Sequence, residues 1–256
     1  MIRLKTEAEI ETIARAGSIV SDTLAHVAEL ARPGISTGEL DRRAEAFIRS
    51  HQGATPAFKG LYDFPGTLCT SVNNEVVHGI PSDRREMAPG DLLSVDVGVR
   101  LDGLYADAAL TVSIGEPVPA TAKLLETTRR ALNAGIDAAL VGATIGDVGA
   151  AIQEVIDREG FGIVHELVGH GVGHAPHEDP QVPNYGRAGT GLTLEAGLVI
   201  AIEPMVNLGV REIRTMDDGW TIVTADGSLS AHFEHTVAVT TEGPRILTVS
   251  RSRVAA

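Results

Sequence analysis

Gly34-Ile35-Ser36-Thr37-Gly38-Glu39-Leu40 has a counterpart later in the same chain, Gly142-Ala143-Thr144-Ile145-Gly146-Asp147-Val148. A shift of 108 positions places Gly34 on Gly142, Ser36 on Thr144, Gly38 on Gly146, Glu39 on Asp147, Leu40 on Val148 and Ile48 on Ile156. Further along, a shift of 107 places Pro89-Gly90-Asp91-Leu92-Leu93-Ser94-Val95-Asp96 on Ala196-Gly197-Leu198-Val199-Ile200-Ala201-Ile202-Glu203. Both of these later runs read as apolar strands, and each is expected to deliver one carboxylate, Asp96 or Glu203, at its end. Helices followed by strands, twice over, predict a duplicated α+β unit with pseudo-twofold symmetry. Chance similarity between two helical hairpins is the alternative, and the matched carboxylates weigh against it.

Outward from the repeat, the spacing predicts four helices. Residues 7–31 carry Ile10, Ile13, Ala14, Ala16, Val20, Leu24, Val27 and Leu30 at helical intervals. Thr6 is the expected N-cap, with Glu9 as its capping-box partner. Pro33-Gly34 stops this helix, and Ser36 or Thr37 caps a second that runs to about Ser50. Residues 122–140 and 144–158 repeat the picture. The halves join near Glu116-Pro117-Val118-Pro119, which is not read as a domain boundary. One domain over residues 1–256 is expected, with copies at approximately 7–115 and 120–242 and a site between them, where ligand sites are common.

Composition narrows the function. The chain has 43% hydrophobic and 21% charged residues, which excludes disorder for most of its length. Its charge, 21 − 34 = −13, argues against a nucleic-acid binder, which neutralises phosphates with clustered Lys and Arg. The pairs Arg42-Arg43, Arg84-Arg85 and Arg129-Arg130 are scattered and read as solvated surface charge. Some of the acidic residues are candidates for gathering around cations. Cys69 is the single cysteine, which fits a reducing compartment. The polar start Arg3-Leu4-Lys5-Thr6-Glu7 has no apolar stretch of signal length, and no run reaches the ~20 apolar residues of a membrane span. A cytoplasmic protein without membrane association is expected.

The segment 92–112 carries the sharpest local argument. Two strand-like runs flank Asp102-Gly103, a strong hairpin signal. A two-residue loop pairs positions whose numbers sum to 205, so Asp107 faces Gly98. Asp96 shares the face of position 98, because side chains alternate. Asp96 and Asp107 are then diagonal neighbours roughly 7–8 Å apart, with room between them left by Gly98. Two carboxylates so placed grip one cation; without it they repel and one holds a proton. Two solvent-facing aspartates on an edge hairpin are the alternative, and Val95, Val97, Val99, Ala106 and Ala108 do not decide the buried face.

A second cluster lies in Gly169-His170-Gly171-Val172-Gly173-His174-Ala175-Pro176-His177-Glu178. His165-Glu166-Leu167-Val168-Gly169-His170 resembles the helical zinc motif but is one residue too long, since positions five apart on a helix diverge by about 140°. The glycines argue against a helix and for backbone lying close to a ligand. Glu203 before Pro204, and Glu234 in Phe233-Glu234-His235-Thr236-Val237, are carboxylates in apolar surroundings. Such carboxylates are rare unless paired or metal-bound, and salt-bridged core residues are the alternative.

Five segments together resemble a known family, the type I methionine aminopeptidases, in order and over nearly the whole chain. They are Cys69-Thr70-Ser71-Val72-Asn73-Asn74-Glu75-Val76-Val77-His78-Gly79-Ile80-Pro81, the glycine-histidine segment, Ile202-Glu203-Pro204-Met205, Glu212–Trp220, and Leu229-Ser230-Ala231-His232-Phe233-Glu234-His235-Thr236. The resemblance implies the duplicated pita-bread fold. It implies five metal ligands, Asp96, Asp107, His170, Glu203 and Glu234, with Asp107 and Glu234 bridging two divalent ions. Four carboxylates and one imidazole suit manganese, iron or cobalt, and also zinc or nickel.

The resemblance further implies removal of the initiator methionine by metal-activated water. Glu203 is the implied proton shuttle, His177 the group that steadies the oxyanion, and His78 the contact to substrate backbone or leaving nitrogen. Phe64, Cys69 and Trp220 are candidates for an apolar methionine pocket. Pro176 stands where family members often have a larger apolar residue. His26, His51, His165, His174, His232 and His235 are expected to be structural or at the surface. The implied partners are N-terminal methionyl peptides and nascent chains, with transient ribosome contact; a monomer of the short prokaryotic type, without a zinc-finger extension, is expected. A proline-specific aminopeptidase of the same fold, an inert partner-binding module and a plain metal-binding protein are the competing readings.

Overall fold

The computed structural model describes residues 2–250. The domain expectation over 1–256 also touches Met1 and residues 251–256, which lie outside the described residues.

Four helices form where apolar residues recur at helical spacing: α1 (Glu7–Leu30), α2 (Thr37–Arg49), α3 (Pro119–Ala138) and α4 (Ile145–Asp157). Thr6 and Glu9 close the expected capping box on α1, Ser36 caps α2, and Thr144 with Asp147 closes a second box on α4. Each box satisfies backbone N–H groups that a helix start leaves without partners. The helix expected over 122–140 instead begins at Pro119 and ends at Ala138. A proline in the first turn costs nothing, because its missing N–H would have no helical partner.

The strands are antiparallel. In the first half Leu92–Leu101 pairs with Leu104–Ser113 along one edge and with Leu68–Val72 and Thr55–Pro56 along the other. In the second half Val199–Ile202 lies between His235–Thr240 and Gly169–Gly171. The duplication is visible in the backbone. Two isolated bridges, Ser36 to Glu86 and Thr144 to Thr193, are related by shifts of 108 and 107. Gly34 N–H donates to Met87 O at 2.8 Å, and Gly142 N–H donates to Leu194 O at 2.9 Å. Both glycines have φ of 87°, the left-handed region that glycine enters without steric cost.

Each half has its own apolar cluster. Ile13, Val20, Leu40, Ile48 and Val97 fill the first; Leu124, Leu132, Ile152, Ile200 and Val237 fill the second. Full burial of such a side chain contributes about 1.5–3 kcal/mol. No described helix is long and apolar enough to cross a membrane.

Asp96 departs from expectation: it sits inside the strand Leu92–Leu101, not at its end. The hairpin partner continues to pair beyond it, from Ala109 opposite Asp96 to Leu104 opposite Leu101. Glu203 does follow the end of its strand, Val199–Ile202, where Pro204 has no N–H to extend the ladder.

Candidate metal centre and adjoining pocket

The hairpin register is the expected one. Gly98 pairs with Asp107 and Asp96 with Ala109, without a bulge, so the two carboxylates are diagonal neighbours on one face. Both faces of the strand are buried, which is why its valines could not decide the question. The space over Gly98 is not free, however. A Cβ there would lie 2.7 Å from Phe58 Cε1 and 2.9 Å from Ala57 Cβ, so the glycine makes room for an aromatic ring.

The second half supplies the rest. His170 is central in the short strand Gly169–Gly171. The flanking glycines do not face a ligand, as expected from sequence, but the neighbouring backbone. A Cβ on Gly169 would lie 2.3 Å from Ala201 O, and one on Gly171 would lie 2.1 Å from Asp179 O. His170 Nδ1 meets Gly171 O at 2.9 Å, which leaves Nε2 to face the carboxylates. Nε2 lies 3.6 Å from Asp107 Oδ2 and 3.5 Å from Glu203 Oε1. Glu234 is tied to the hairpin by its N–H, which donates to Ala109 O at 2.9 Å. Thr236 Oγ1 accepts from Asp107 N–H at 3.1 Å and donates to Asp107, at 2.8 Å to its carbonyl or 3.0 Å to Oδ1. The Glu203 backbone is held by buried Asn184, whose side-chain amide donates to Glu203 O at 3.0 Å.

Asp107, His170 and Glu234 bring one ligand atom each within 4.8 Å of one another, a spacing that could hold a metal ion. The donor set fits a divalent cation on a further count: Asp96 Oδ1 is buried without a hydrogen-bond partner. In the metal-free protein the electrostatics are strained. Burial, then the Asp107 and Glu203 charges opposed by His232, pushes Asp96 up to about 8. Burial, then Asp107 opposed by His170, pushes Glu203 up to about 8. Burial and the three other carboxylates raise Glu234 well above its ordinary value. A cation among them removes this penalty.

All ten residues singled out from sequence line one cavity of about 280 Å³: the five carboxylate and imidazole ligand candidates, His78, His177, Phe64, Cys69 and Trp220. Phe64 and Trp220 meet edge to face with centroids 5.0 Å apart. The ring of His78 meets Trp220 at 6.2 Å, and the ring of His177 meets His170 at 4.5 Å. His78 has φ of 60°, a conformation that a non-glycine residue holds only under constraint, at about 1–3 kcal/mol. Burial, then His232 and His177, lowers His78 to about 4, so it is neutral at pH 7. Burial and the nearby His170 lower His177 also. Burial first, then Asp96, raises the Cys69 thiol, which is inert packing.

Sequence reading missed several lining residues. His232, expected to be structural or at the surface, is buried in the same cavity with Nε2 3.5 Å from Glu203 Oε2. Spacing could have found it, because positions 232 and 234 alternate onto one face. Phe58, Tyr62, Leu167 and Met205 also line the cavity, whereas Pro176 does not. Tyr62 lies parallel to His177 with centroids 6.4 Å apart. Other histidines stay outside, as expected: His26 stacks on Phe47, His165 on Tyr185, and His235 meets Thr248 Oγ1 at 2.8 Å.

The model of metallopeptidase family M24 matches residues 11–241. The chain is 51% identical over 249 residues to a methionine aminopeptidase of Clostridium perfringens, covering 97% of this chain and 99% of that protein. Its structure is similar to that of a methionine aminopeptidase from Thermotoga maritima, with a TM-score of 0.96, 43% identity, and coverage of 98% of this chain and 100% of that one. A prolidase from Pyrococcus furiosus shares the fold alone, with a TM-score of 0.79 at 24% identity over 97% of this chain and 66% of its own.

Proposed function

Since the chain belongs to metallopeptidase family M24, we propose that it removes the N-terminal methionine from peptides and newly made proteins, by metal-dependent attack of water on the first peptide bond. One observation carries the reading: the acid-imidazole cluster of Asp96, Asp107, His170, Glu203 and Glu234 closes one cavity with the aromatic pair Phe64 and Trp220. The aromatic part suits an apolar, unbranched side chain, and the cluster suits cations beside its backbone.

These five residues would hold two divalent ions. Manganese, iron and cobalt match the mainly oxygen donor set, and zinc or nickel are accommodated. Divalent ions bound here supply Lewis acidity, lowering the pKa of water towards neutrality and polarising the scissile carbonyl. Glu203 takes the proton of the attacking water and passes it to the departing amine. His177 donates a hydrogen bond to the carbonyl oxygen as negative charge develops there. His78, neutral at pH 7, offers one N–H to the substrate backbone or leaving nitrogen. Phe64, Cys69 and Trp220, with Phe58, hold the methionine side chain. The whole chain acts as one catalytic domain, a cytoplasmic monomer that meets nascent chains in transient contact with the ribosome.

The test is release of free methionine from Met-Gly-Met-Met and Met-Ala-Ser by EDTA-stripped protein, before and after manganese or cobalt is restored. Metal-dependent release, lost in Asp96→Ala and absent with Xaa-Pro peptides, is the expected result. Cleavage of Xaa-Pro peptides instead would reassign the substrate. No release with any metal, in protein that binds two ions, would make it an inert binding module.

A further inference from the structure

The sequence presents Lys5 as one residue of a polar lead-in, yet its side chain is 0% exposed. An ammonium is costly to bury unless paired. Its Nζ is paired with the carboxylate of Glu178, the residue that follows His177. We propose that Lys5 is a positioning residue for His177, acting through Glu178.

The argument is geometric. Lys5 is seated by its own backbone, whose N–H donates to Gly197 O at 2.7 Å. A Cβ on Gly197 would lie 2.8 Å from Lys5 O, so the glycine admits the segment. From that seat the stem of Lys5 crosses Gly173, where a Cβ would lie 2.6 Å from Lys5 Cε. Lys5 therefore touches both ends of one bend: Gly173 before it and Glu178 after it. Between them come His174, Ala175, Pro176 and His177. Gly173 is also pinned from the hairpin, its carbonyl accepting from Tyr105 N–H at 2.8 Å. Glu178 begins the strand Glu178–Val182 and pairs with Gly171, next to His170. His177 is exposed, and its ring contacts include Tyr62 and His170. The bracket formed by Lys5 sets where the bend ends, and with it the distance between His177 and His170.

The inference rests on the proposed role of His177, and the experiment separates the two. Lys5→Met and Glu178→Gln are made singly and in the His177→Ala background, with kcat, KM, thermal midpoint and calorimetric metal stoichiometry measured on each. Misplacing a catalytic group by about 1 Å costs on the order of 100-fold. Each single variant is expected to lower kcat about 10- to 100-fold, with KM changed less than about threefold and two ions still bound. Added to His177→Ala, neither should lower kcat further, as groups acting through one another are not additive. Wild-type kcat in folded Glu178→Gln, or losses that multiply in full onto His177→Ala, would overturn the inference. If Lys5→Met does not fold, Glu178→Gln, of equal size, decides alone. Wild-type kcat in His177→Ala would instead remove the role of His177 itself.

Discussion

His170 Nε2 stands 3.5 Å from Glu203 Oε1, a separation at which the imidazole supports the carboxylate charge without the metal. It does so incompletely, since Glu203 and Asp96 are each held at about 8 in the metal-free protein.

That has a consequence for stability. In the folded, metal-free protein these two groups keep protons that the unfolded chain releases near its ordinary values of 4.5 and 3.8. The folded state then binds more protons, so stability falls as pH rises through this window. His78 and His177, lowered from 6.5, act in the opposite sense, but below about 6.5. Between about pH 6.5 and 8 the carboxylates, joined by His170 whose pKa the Asp107 and Glu203 charges raise above 6.5, act in one direction, and the thermal midpoint of stripped protein should drop. Asp96→Asn should flatten the drop, and restored manganese should abolish it. A midpoint that rises across this window in stripped protein would contradict the assignment.

Thr236→Val should weaken metal binding without touching a ligand. Its hydroxyl bonds the backbone and carboxylate of Asp107, and Val keeps the shape but not the bonds. Loss of such a supporting partner lowers metal affinity about 10- to 100-fold. Isothermal titration with manganese measures it; an unchanged affinity would show that Asp107 needs no such support.

Gly98→Ala should alter substrate binding through Phe58. The added methyl meets the ring at 2.7 Å, and overpacking of this kind costs about 1–3 kcal/mol. We expect KM for methionyl peptides to rise while metal stoichiometry stays at wild type. If KM is unmoved, the Phe58 ring is not part of the methionine pocket.

His78→Ala should lower kcat by about 100-fold or more, the scale of losing one donor to developing charge, and leave the metals bound. Stopped-flow turnover paired with metal analysis separates the two effects. Wild-type turnover would end the role given to His78.

Local rules reached part of this molecule. Asp102-Gly103 fixed the hairpin register by itself, because a two-residue loop leaves one pairing, and so Asp96 and Asp107 were legible as neighbours. The cap of α1 was legible because its hydroxyl and carboxylate partners lie three residues apart. Phe58 was not, because what brings it to Gly98 is a pairing between Thr55–Pro56 and a strand more than 40 positions away. Lys5 was not, because it is buried by Gly173 and Gly197, residues from the other half. His170 looked like a ligand only through its wider motif; its glycines proved to serve backbone packing.

The duplication also bears on synthesis. Asp96 and Asp107 come from the first copy, while His170, Glu203 and Glu234 come from the second. A growing chain halted before position 234 carries an incomplete set, however well its first copy has folded. On the proposed ligand set, the metal centre is therefore completed only once most of the second copy has been made.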